Sequence, residues 1–89
     1  MNFDTKLLLM AEHETAHIPL EKVAEQYLHM GPLKARQAAS RQDLPFPVFR
    51  GGSQKSPWLV DIADLAEWLD DERNKAIEHW EITRRSADV

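Results

Sequence analysis

Gly31-Pro32 constrains the fold of this chain more than any other pair of residues. Proline breaks a helix interior but suits its first position, where the missing N–H costs nothing, and glycine before it tolerates turn geometry. Upstream, Leu20, Val23, Ala24, Tyr27 and Leu28 recur at helical spacing, which turns Glu21, Lys22, Glu25 and Gln26 outward. Downstream, a helix is predicted over residues 33–42. Its Ala35, Ala38 and Ala39 permit close packing, and Lys34, Arg36, Gln37, Ser40, Arg41 and Gln42 supply hydrogen-bond donors. The pair therefore predicts two helices joined by a tight turn.

A hairpin follows. Residues 46–50 have the pattern of a strand whose prolines favour an edge, residues 51–57 form a loop without an apolar side chain other than proline, and Trp58-Leu59-Val60 returns. Helix, turn, helix and hairpin in that order predict a mainly α fold with a small antiparallel hairpin, a winged helix-turn-helix. Before it, Asp4 or Thr5 is expected to cap a first helix reaching about Glu14, and Ile18 beside Pro19 is expected to form a short edge strand. After it, Asp61 is expected to cap a last helix on which Ile62, Leu65, Ala66, Leu69, Ala76, Ile77 and Trp80 repeat at steps of three and four. That helix outruns what the rest of the chain can cover. Ala76, Ile77 and Trp80 are therefore the expected dimerisation contact, giving a homodimer or a side-by-side oligomer. The expected organisation is one domain over residues 1–82 and a flexible tail over residues 83–89.

Eighty-nine residues, 43% of them apolar, suit one small core. The absence of cysteine excludes disulfides and thiolate metal sites. The apolar run at residues 7–11 is too short to span a bilayer and lacks a basic leader, so a cytoplasmic, nucleoid-associated location without membrane contact is expected. His13 and His17 stand four apart, but no third ligand is nearby, so they are expected to be surface histidines, with no metal or cofactor. The carboxylates at Glu12, Glu14, Asp70, Asp71 and Glu72 fall on expected exposed faces without a partner element, and no enzyme is expected.

The net charge of −4 hides an uneven distribution. Residues 31–60 carry Lys34, Arg36, Arg41, Arg50 and Lys55 against Asp43 alone, a local +4, whereas the other residues sum to −8. Phosphate attraction is local once salt screens it beyond about 10 Å, so one basic face suffices for a polyanion. Arginine can grip guanine through two donors, glutamine can pair with adenine, and lysine and serine can hold phosphate oxygens. Those roles fall to Lys34, Arg36, Gln37, Ser40 and Arg41 on the second helix. Arg50, Ser53, Gln54, Lys55 and Ser56 would form the wing along the minor groove or its phosphates. Gly51-Gly52 followed by a single lysine lacks the spacing of a nucleotide-phosphate loop.

Leu-Pro-Phe-Pro-Val at 44–48, Gly-Ser-Gln-Lys at 52–55 and Val-Asp-Ile-Ala-Asp-Leu-Ala-Glu-Trp-Leu-Asp at 60–70 resemble the pyocin activator family. Leu-Leu-Leu-Met at 7–10 and Ile-Pro-Leu at 18–20 extend the resemblance over nearly the whole chain. It implies a small bacterial transcriptional activator of bacteriocin genes that recognises repeated promoter boxes in double-stranded DNA, possible contact with RNA polymerase, and kinship with excisionase and MerR-like winged helices. Transferred by position, the groove contacts fall on residues 34–41 and the wing contacts on Gln54 and Lys55. Gly31-Pro32-Leu33 departs from the polar cap expected there. Two other functions stay open: an excisionase-like architectural DNA binder, and a protein-binding module or anti-repressor.

Overall fold

The computed structural model describes residues 3–53 and 55–87. It is mainly helical with a small antiparallel sheet. Helix α1 (Phe3–His13) ends where Glu14 turns left-handed, with φ of 57°. Neither Asp4 nor Thr5 caps it from outside, because both lie within the helix. The Thr5 hydroxyl instead donates to Asp70 at 2.6 Å, tying the first helix to the last. Strand β1 (His17–Pro19) follows, confirming the edge strand expected around Ile18.

Helix α2 (Leu20–Val23) opens directly from Pro19 and continues as a π-helical stretch (Ala24–Leu28). The stretch stops at His29, which takes the left-handed conformation expected of Gly31, while Gly31 is extended and precedes Pro32 at the start of α3 (Pro32–Ser40). The turn residues and the proline position agree with the sequence, but the strained position is His29. Helix α3 stops two residues sooner than its composition predicts. Gln42, left-handed at φ of 51°, donates to Ala39 O at 3.0 Å while Asp43 N donates to Ala38 O at 2.8 Å, which closes the helix end in a Schellman arrangement.

The predicted strand over residues 46–50 is shorter in the structure. Only β2 (Phe49–Arg50) pairs, because Pro45 and Pro47 remove the donors a longer ladder would need. Phe46 and Val48 are buried all the same, so this segment fills the core as an irregular chain. Strand β3 (Trp58–Asp61) lies in the middle of the sheet, antiparallel to β1 on one side and β2 on the other. Its central position pairs Ile18 with Val60, both fully buried.

Helix α4 (Ile62–Ala87) begins at once, with Asp61 accepting from Ala63 N at 2.7 Å as the cap expected of it. Its first turns carry Ile62, Leu65 and Ala66 into a core shared with Leu9, Ile18, Leu20, Val23, Ala24, Ala35, Ala39, Phe46, Val48 and Val60. The helix runs on through residues 83–87, where a tail is expected. Arg84 packs over the Trp80 ring at 5.1 Å, and Arg84 and Arg85 suit the negative end of the helix dipole. The molecule is elongated, 57 by 27 by 16 Å, because this stem extends past the core.

Candidate nucleic-acid interface

The alanines of α3 determine what it shows to solvent. Ala35, Ala38 and Ala39 are buried against α2 and the core, and their small size brings the backbones close while leaving Leu33, Lys34, Arg36, Gln37, Ser40 and Arg41 exposed. At about 100° per residue, Leu33, Gln37 and Ser40 form the outward centre of this surface. Arg36 sits on one flank, and Lys34 and Arg41 sit on the other. Ser40 turns its hydroxyl back to Arg36 O at 3.1 Å, so its donor is engaged within the helix.

On the Arg36 flank the wing approaches. A pocket of about 250 Å³ is lined by Glu21 and Arg36 from the helical pair and by Arg50, Lys55, Ser56 and Trp58 from the hairpin. Three of the predicted cationic side chains therefore converge, although α3 and the wing are separated by the Schellman turn and the irregular 44–48 segment. Lys34 and Arg41 do not line this pocket. Gln54 lies outside the described residues.

Each convergent cation is held differently. Arg36 Nη1 donates to Glu21 Oε1 at 2.6 Å, with both side chains about half exposed. Such a pair contributes at most about 1 kcal/mol in water, so a phosphate or base edge can replace the carboxylate at little cost. Arg50 stacks over the Trp58 ring, its directly opposed neighbour across the hairpin, at 4.2 Å. The stack holds the guanidinium against the indole face. Lys55 is exposed on the loop.

The wing serines act chiefly on the loop. Ser56 Oγ donates to Gly51 O at 2.8 Å, Ser53 Oγ accepts from Lys55 N at 3.2 Å, and the two hydroxyls meet at 3.3 Å. Among the described residues of the loop, Gly52, at φ of 90°, takes a conformation that an L side chain would strain. These contacts give a loop of small residues a defined shape and present Lys55.

Sequence reasoning missed Glu21, which it assigned only to a solvent face, and Trp58, which it treated as strand. No local signal marks Glu21, since its partner is fifteen residues away. Trp58 was findable, because a loop at residues 51–57 places residue 58 opposite residue 50.

The two histidines also separate. His17 is half exposed and lies 3.5 Å from Asp61, whereas the His13 side chain is 1% exposed and both its ring nitrogens lack a hydrogen-bond partner. The expectation of a surface His13 is corrected: it shares the inward side of α1 with Leu9. Among the described residues no cluster of three His, Asp or Glu could hold a metal, and no helix is long and apolar enough to cross a membrane. Away from the interface, burial and then the nearby Glu12 raise the Tyr27 hydroxyl above its ordinary pKa.

A family model described as "Pyocin activator protein PrtN" matches residues 5–76. No curated protein and no solved structure gives a significant match.

Proposed function

The chain belongs to the pyocin activator protein family, small regulators of pyocin genes rather than enzymes, and on that premise we propose that it activates transcription by sequence-specific binding to double-stranded DNA. In this reading α2, the turn and α3 act as a helix-turn-helix, and β2, the 51–57 loop and β3 act as its wing, all within one domain. Leu33, Lys34, Arg36, Gln37, Ser40 and Arg41 face the major groove, and Arg50, Ser53, Lys55 and Ser56 lie over the adjoining phosphates or minor groove. The protein works in the cytoplasm on nucleoid DNA, at promoter boxes where RNA polymerase can be met.

One observation carries the reading. Arg36, Arg50 and Lys55, from two separate elements, converge beside α3 on a molecule that is acidic elsewhere. A surface of that kind attracts a polyanion locally and places arginine at the edge of a groove-sized helix.

Fluorescence anisotropy with promoter and scrambled duplexes tests it. The promoter duplex is expected to bind more tightly at near-physiological salt, and equal affinities would reject sequence-specific regulation. Arg36→Ala is expected to relax preference at one base position by about 1–3 kcal/mol. Lys55→Ala is expected to weaken all duplexes alike and to lower the salt dependence by about one phosphate contact.

A further inference from the structure

The side of α4 that enters the core carries apolar residues again beyond the point where the core ends. Ile62 and Trp80 are separated by a whole number of helical turns at 3.6 residues per turn, so Trp80 projects from the same side as the buried Ile62. Ala76 and Ile77 flank it. Every side chain over residues 71–85 is exposed, with Ile77 at 37% and Trp80 at 56%. Ile82 faces the opposite side and does not belong to this stripe.

Charges on and beside the stripe specify what covers it. Arg73 and Arg84 lie within it, and Asp70 and Glu81 lie along one border. Among the described residues neither Arg73 nor Glu81 has an ion-pair partner. A second copy laid parallel and in register would oppose Arg73 to Arg73 and Arg84 to Arg84. Laid antiparallel about Ile77, the same stem opposes Arg73 to Glu81 and Asp70 to Arg84, twice each by symmetry, and places Trp80 beside the residue 73–77 turn of the other copy.

We infer that two copies of this chain associate through antiparallel α4 stems, with Ile77 on the two-fold axis and the two Arg73–Glu81 pairs setting the register. The assignment needs no DNA, so its failure would be separate from any failure of duplex binding.

Because the chain has no cysteine, single cysteines report the arrangement cleanly. Ile77→Cys is expected to form a covalent dimer under mild oxidation. Arg84→Cys is not, since its two copies stand about 21 Å apart along the stems, beyond the reach of a disulfide. Sedimentation of the full chain at tens of micromolar is expected to give a dimer. Trp80→Glu should give a monomer with unchanged far-ultraviolet circular dichroism. Arg73→Glu should weaken association about tenfold, and Arg73→Glu with Glu81→Arg should restore it. A monomeric wild type, a dimer indifferent to Trp80→Glu, self-crosslinking of Arg84→Cys, or a charge swap that fails to restore association would each overturn the inference.

Discussion

At the scale of single residues, burial dominates stability. Ile18 is fully buried on an edge strand of only three residues and meets Val60 across the sheet. Ile18→Ala leaves a cavity that so short a strand cannot close, and is expected to cost about 2–5 kcal/mol in urea unfolding. Asp64 shows the opposite tension. It sits in the first turn of α4, where the dipole favours a carboxylate, yet burial first, and then Asp61 and Glu67, raise its pKa above the ordinary 3.8. The folded chain thus holds that proton more tightly than the unfolded chain does. The resulting stability is complete below the unfolded value and is lost as pH rises through the folded one. Asp64→Asn, which cannot ionise, is expected to gain stability relative to the wild type above that window and to lose the advantage below it, as melting temperatures across the acid range will record.

Elements matter through the shapes their ends impose. The wing is two short strands and a loop of small residues, and its form depends on serine hydroxyls more than on packing. Ser56→Ala removes the bond to Gly51 O and the contact with Ser53. Global stability is expected to change by less than about 1 kcal/mol, because the loop is exposed. Amide exchange over the loop should speed up, and duplex affinity should fall severalfold as Lys55 loses its fixed position. Helix α3 depends on its neighbours in a different way. Its buried face is alanine alone, so it is positioned by backbone proximity to α2 and by the Schellman closure at Gln42, and its long side chains remain available to a ligand.

On the scale of the whole molecule, charge is partitioned. The cationic pocket forms where the helical pair meets the wing, and the acidic residues lie mostly on α1 and α4. Glu21 lies inside the cationic region and pairs with Arg36, so under the proposed DNA-binding role it would compete with the duplex for that guanidinium. Glu21→Gln is therefore expected to raise duplex affinity severalfold at low salt, with the gain shrinking as salt rises, and titration at several ionic strengths checks it. If Glu21 contributes discrimination by releasing Arg36 only to a well-placed guanine, the same variant will bind scrambled duplexes disproportionately better.

Much of this was legible in the residues themselves, because it depends on near neighbours. Periodicity located the helices, Gly31-Pro32 placed the break between α2 and α3, the loop at residues 51–57 placed the turn of the hairpin, and Asp61 marked the start of α4. Local composition also separated the basic middle from the acidic remainder. What needed the tertiary structure were relations between residues distant in the chain or competing for one backbone: His29 rather than Gly31 taking the left-handed position, Phe46 and Val48 entering the core without a ladder, His13 turning inward, and Glu21 closing on Arg36. Spacing along a chain encodes which side of an element is apolar. Only the packed fold decides which polar groups meet across the gaps between elements, since those meetings are set by distances that no local pattern contains.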